Sequence, residues 1–255
     1  MTFKLEMECS QRQKDSNVIL ALDVTSTSRK ALLSKSLKLL EKTHIYICAV
    51  KLNHHLILPL GLYDGVQQIL NLAHKYEVPA IMDCKINDIG NTNRVIAENY
   101  YKAGFDAVIA NPFVGWEEGL QPVFEVAERM QKGVIVLCYM SHKAAWEGYG
   151  QTIQETETEK LIPQYVAFAK KALEWNADGV VVGATYPGKI KGITKILAGK
   201  VPIYSPGVGV QGGDVQSAIK AGARYLIVGR TIINAPNPAA VARQIREGAK
   251  IRKKL

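Results

Sequence analysis

Ala80-Ile81-Met82-Asp83-Cys84-Lys85-Ile86-Asn87-Asp88 is the stretch on which the fold turns. It begins as a short apolar run and ends in charge. A run apolar at successive positions suits a strand buried on both faces, as in a parallel sheet covered by helices. In such a strand Asp83 and Lys85 project from one face and Cys84 from the other. Asp88 falls just past the strand end.

Seven further runs of this kind occur: Val18–Val24, Ile45–Leu52, Ala107–Phe113, Val134–Met140, Gly179–Ala184, Pro202–Pro206 and Tyr225–Arg230. Amphipathic stretches separate them. Ile162, Val166, Ala169 and Leu173 lie at helical spacing, and Ser28–Lys42, Leu62–Tyr76, Thr92–Ala103, Glu117–Gln131 and Pro238–Arg252 read as further helices. Eight strand–helix units predict a single-domain (β/α)8 TIM barrel. A doubly wound open sheet is the structural alternative, but it usually has fewer strands. Residues 1–16 are polar and read as an N-terminal arm or short leading helix, with the barrel spanning 17–255.

The chain has 255 residues, 47% of them hydrophobic, which suffices for one large core. Its net charge of +9 suits an anionic partner: nucleic acid, a membrane surface or a small acidic substrate. The charge is spread along the chain, except for the tail Lys250, Arg252, Lys253 and Lys254, which reads as a solvated helix end. Aromatic residues do not interleave with the basic ones, which argues against a nucleic-acid groove. Cys9, Cys48, Cys84 and Cys138 form no CxxC pair and read as free thiols. No secretory apolar segment and no membrane-length run is present, so a cytoplasmic protein is expected.

Barrel enzymes place their chemistry at the C-terminal ends of the strands. There Asp23 ends the first run, Lys51 the second, Asp83 and Lys85 the third, and Arg230 the eighth. An acid–lysine–acid array keeps an ammonium charged and fixes its direction. A structural ion pair sealing the barrel mouth is the bland alternative. Asp23 and Lys51 on neighbouring strands weigh against it.

Pro206-Gly207-Val208-Gly209-Val210-Gln211-Gly212-Gly213 follows the seventh run, and Gly229-Arg230 closes the eighth. Loops at these places commonly bind phosphate, and Arg230 offers forked donors. The match to a dinucleotide fingerprint is weak, because no acidic residue follows at the required distance. The loop from Ser141 to Gln151 is long and glycine-containing, as lids are. His54, His55 and His142 lack metal-ligand spacing, so no metal site is expected.

Asp83-x-Lys85-x-x-Asp88-Ile89-x-x-Thr92 resembles the signature of the orotidine 5'-monophosphate decarboxylase family, in its compact archaeal-like form. The likeness extends to Asp23, Lys51, Met140-Ser141-His142, the 206–213 loop and Gly229-Arg230. It implies a lyase of pyrimidine biosynthesis that converts orotidine 5'-monophosphate to uridine 5'-monophosphate and CO2 without a cofactor. Lys85 would stabilise and protonate the C6 carbanion, oriented by Asp83. Lys51 would tie Asp83 to the ribose, and Asp23 would accept from ribose hydroxyls. Ser141 would read the pyrimidine, while Pro206, Gln211, Gly212, Gly229 and Arg230 would hold the phosphate. Asp88, Ile89 and Thr92 would enter the site of a second subunit, giving a homodimer with shared sites. Lys143 and Trp146 make a bulkier lid than the family pattern, and the N-terminal arm is unmatched.

Two rivals share features with this reading. Magnesium-dependent sugar-phosphate aldolases and decarboxylases use the same Asp-x-Lys-x-x-Asp array, but need an extra acidic ligand that Val78–Met82 does not supply. A basic nucleic-acid-binding protein would leave the strand-end charges structural and bind RNA with steep salt dependence.

Overall fold

The structure is a computed structural model and describes residues 1–155 and 158–250. Among them, eight parallel strands close into a barrel. These are β1 (Val18–Ala21), β2 (Ala49–Leu52), β3 (Ala80–Ile86), β4 (Ala107–Ala110), β5 (Gly133–Tyr139), β8 (Gly179–Val182), β9 (Ile203–Pro206) and β10 (Tyr225–Val228). A short antiparallel pair, β6 (Thr152–Gln154) and β7 (Leu161–Pro163), stands outside it. Strand β1 pairs with both β2 and β10, which leaves the barrel without an edge. The barrel strands are buried along their length, with only the charged end of β3 and Pro206 of β9 partly open.

The helices are α1 (Phe3–Gln13), α2 (Arg29–Thr43), α3 (His54–Leu60), α4 (Val66–Lys75), α5 (Gly90–Lys102), α6 (Gln121–Met130), α7 (Ala145–Tyr149), α8 (Gln164–Glu174), α9 (Pro187–Leu197), α10 (Val215–Ala221), α11 (Arg230–Ile233) and α12 (Pro238–Ala249). Their apolar stripes pack on the outside of the barrel, as Ile69, Leu70 and Ala73 of α4 do. Ser28, Asn53, Asp214 and Asn237 cap helices by accepting from backbone amides.

Several strands are shorter than their apolar runs. Leu22 and Val24 lie beyond β1 yet are almost wholly buried, because the strand-end loops fold back over the core. The Leu62–Tyr76 helix begins earlier, at His54, and carries a wide turn over Gly61–Gly65. The helix expected from Glu117 starts at Gln121, because Glu118 adopts a left-handed backbone (φ 51°) that no helix continues. Ile162 sits in β7 and not on a helix: the proline after it favours extended backbone, so α8 starts at Gln164. The end of the Pro238–Arg252 prediction and the residues of the basic tail beyond Lys250 lie outside the described residues.

Helix α1 lies beneath the barrel, at the N-terminal ends of the strands. Phe3 and Met7 are buried there, and the Phe3 ring occupies the space where a side chain at residue 133 would project. Ser10 Oγ donates to the Cys48 carbonyl (2.7 Å), and Lys14 Nζ to that of Tyr76 (2.7 Å). Asp106 braces the same end: its carboxylate accepts from the Ala80 amide, His74 Nε2 and Lys132 Nζ.

Candidate active site

A cavity of about 220 Å³ opens at the other end of the barrel, where the C-terminal ends of the strands meet. Asp23, Lys51, Asn53, Asp83 and Lys85 supply its charged and polar wall, and Ile109, Leu137, Val181 and Ile227 its apolar floor. Ser141, Pro206, Gln211, Gly229, Arg230 and Thr231 complete it.

The polar wall is one continuous chain of ion pairs. Lys85 Nζ donates to Asp83 Oδ1 at 2.7 Å, and Lys51 Nζ donates to Asp83 Oδ2 at 2.8 Å. Lys51 also lies 3.8 Å from Asp23, which accepts from the Asn53 amide at 2.6 Å. Lys51 is almost entirely buried; the Lys85 side chain keeps 37% of its surface exposed, toward the cavity. Burial opposes the charge on Asp83, but the two ammonium groups overcome it and hold the carboxyl at about 2. Burial likewise opposes the Lys51 charge, and Asp83 and Asp23 more than offset it, raising its pKa. Lys51 and Asp83 therefore stay ionised at neutral pH.

Simple strand alternation does not account for how Asp83 and Lys85 come together. The β3–β4 register shifts between Met82 and Ile86, and Lys85 has a left-handed backbone with φ 51°. A bulge of this kind re-aims a side chain at the cost of local strain, and such strain collects at functional sites. Cys84 stays off the cavity, with its sulfur 3.6 Å from the Ile109 carbonyl. The thiol is pushed up to about 12 by burial, with the Asp83 charge adding to it, so it is no nucleophile.

The loop after β9 is a tight glycine turn. Gly207 and Gly209 have φ of 95° and 84°, where a side chain would be strained. Gly213 N donates to the Gly207 carbonyl, and Gly209 N to that of Gly213. Thr231, at the start of α11, receives the Val210 amide and donates to the Val208 carbonyl, which fastens this loop to the one after β10. Gly212 does not line the cavity; its amide closes the turn onto the Gly209 carbonyl.

Asp88, Ile89 and Thr92 also stand outside this cavity. Asp88 turns its carboxylate back to the Ile89 amide, and Asn93 holds its backbone. Ile89 is 70% exposed. Two polar lining residues, Asn53 and Thr231, were not anticipated. Asn53 had a signal: it lies two residues after Lys51 and so on the same side of the extended chain. Thr231 had none, because its contacts depend on how two loops meet.

A family model described as "Orotidine 5'-phosphate decarboxylase / HUMPS family" matches residues 16–245. The chain belongs to this family. Relatives named orotidine 5'-phosphate decarboxylase include that of Methanosarcina acetivorans, 38% identical over 92% of this chain and 95% of the relative. That of Pyrococcus abyssi is 37% identical over 89% and 96%. Among solved structures of the orotidine 5'-phosphate decarboxylase family, the Pyrococcus horikoshii enzyme superimposes with a TM-score of 0.75 at 34% identity, covering 91% of this chain and 98% of its own. The Methanocaldococcus jannaschii enzyme, complexed with inhibitor BMP, gives 0.78 at 28% identity, covering 92% and 99%.

Proposed function

We propose that this chain is a cytoplasmic carboxy-lyase that converts orotidine 5'-monophosphate to uridine 5'-monophosphate and CO2, with no cofactor. The observation that carries this reading is the Lys51–Asp83–Lys85 ion-pair chain in one cavity with the glycine turn and Arg230. Such a cavity holds a phosphorylated ligand by one end and presents a fixed ammonium to the other.

Breaking the bond between C6 and the carboxylate carbon releases CO2 and leaves the electron pair on C6. With no imine or ylid to delocalise it, the site must stabilise that charge electrostatically. The Lys85 ammonium does so and then passes a proton to C6, regaining one from water. Asp83 orients Lys85 through its 2.7 Å hydrogen bond. Lys51 and Asp23 take the ribose hydroxyls, and Ser141 the pyrimidine edge. Pro206, Gln211, Gly229 and Arg230 hold the phosphate, with Gly212 closing the turn that carries Gln211, and that remote binding drives the loops closed over the reacting centre.

Asp88, Ile89 and Thr92 complete the site of a second copy in a homodimer. Support comes from the exposed apolar side chains Ile89 and Val95 at and along α5, and from exposed Tyr63, hydrogen-bonded to Asn99 of the same helix. The branch of the family that uses a metal is the competing reading. An absorbance assay following loss of orotidylate, with and without a chelator, decides between them. Turnover unaffected by chelator is the expected result; no turnover, or turnover lost with the metal, overturns the proposal.

A further inference from the structure

The segment Ser141–His142 is held from outside the cavity by the turn that follows β8. The Gly183 amide donates to the Tyr139 carbonyl at 2.9 Å, and Thr185 Oγ1 to that of Ser141 at 3.3 Å. Tyr186 Oη then donates to the His142 carbonyl at 3.0 Å. The approach is close: a Cβ at Gly183 would lie 2.8 Å from Ser141 Cα, nearer than any side chain allows. Ser141 is thereby wedged against this turn with its hydroxyl beside Gly207, on the cavity.

Tyr186 is itself well fixed. Its backbone carbonyl accepts from the first turn of α9, and its ring meets that of Tyr139 edge-on at 4.9 Å. Lys189, one turn into α9, places Nζ 4.5 Å from the Tyr139 ring centre and 4.4 Å from that of Tyr165. A cation between two ring faces ties α9 to the root of the loop after β5. Tyr186 does not line the cavity.

We infer that Tyr186 is a positioning residue: through the His142 carbonyl, its hydroxyl fixes Ser141 in the orientation that reads the pyrimidine. The assignment rests on the proposed decarboxylation. It is specific to one hydroxyl, because the ring packing on Tyr139 survives its removal.

The test is Tyr186→Phe, alone and combined with Ser141→Ala. Losing one hydrogen bond at this distance from the chemistry lowers kcat/KM for orotidylate by about 5- to 10-fold. Competitive inhibition by ribose 5-phosphate, which has no pyrimidine, stays unchanged, as does the melting temperature to within about 2 °C. In the Ser141→Ala background the same substitution changes kcat/KM less than about twofold, since the two act through one contact. Wild-type kinetics for Tyr186→Phe, a loss that persists undiminished without the Ser141 hydroxyl, or an equal loss of ribose 5-phosphate affinity each overturn the assignment. A wild-type chain that leaves orotidylate unchanged refutes the reaction and this role with it, whereas an active wild type with an indifferent Tyr186→Phe refutes the role alone.

Discussion

Lys85 and Asp83 share a 2.7 Å charged hydrogen bond across a bulge in β3, and the second oxygen of Asp83 is taken by Lys51. Each oxygen of the acid takes one cation, so a single charge orients both ammonium groups.

In the proposed reaction Lys85 holds charge at C6 and then protonates it, so Lys85→Ala removes both actions. kcat for orotidylate is expected to fall by about 10⁴-fold or more, with circular dichroism unchanged. Arg230→Ala, in the same proposal, acts on the far end of the ligand. It is expected to raise KM by about 10- to 100-fold, the value of a charge-assisted hydrogen bond, with a smaller loss in kcat. Steady-state kinetics on both variants separates the two patterns.

Asp83→Ala leaves Lys51 buried beside Asp23 alone. Removing one partner of a buried pair destabilises by roughly 3–5 kcal/mol, because the other charge stays behind. Urea denaturation reads this directly. A variant as stable as the wild type would show that Lys51 finds other compensation.

Stability should fall on acidification for a reason tied to the site. Asp83 is held at about 2, below its ordinary 3.8. A depressed carboxyl contributes stability above its unfolded value and loses that contribution as pH falls toward the folded one. His74 works in the opposite direction: its hydrogen bond to Asp106 raises it above 6.5 against the cost of burial. Its contribution is complete below 6.5 and is lost as pH rises through the folded value. His74→Asn is therefore expected to flatten the alkaline side of the stability profile and Asp83→Asn the acid side, in melts from pH 2 to 9.

Mixing Asp83→Ala with Asp88→Ala chains tests whether sites are shared. If each site draws Asp88 from the other subunit, a mixed dimer holds one intact site and one doubly altered site. Random exchange of equal amounts then restores about a quarter of the sites. No recovery, despite exchange demonstrated by differently tagged chains, would place Asp88 in its own subunit's site.

The barrel was readable because its strands are buried on both sides, so each appears as an apolar run whose charged end marks the cavity mouth. Asp23, Lys51, Asp83, Lys85 and Arg230 stood out for that reason. The bulge at Lys85 was not readable, since a left-handed lysine has no sequence mark; glycine or asparagine would have carried one. Thr231 stayed hidden because its partners lie 21 and 23 residues away, on a separate loop. The exact role of Gly212, closing a turn and not lining the cavity, depends on a backbone path that composition does not specify.

Helix α1 has a consequence for how the chain is made. It leaves the ribosome before the groups it rests on: Cys48, Tyr76, the backbone at residue 133, and Arg224, whose guanidinium pairs with Glu8. Its docking must therefore wait until most of the polypeptide has been synthesised. Until then Phe3 and Met7 remain exposed and prone to stick elsewhere, and nascent chains stalled before residue 133 are the ones a chaperone would hold longest.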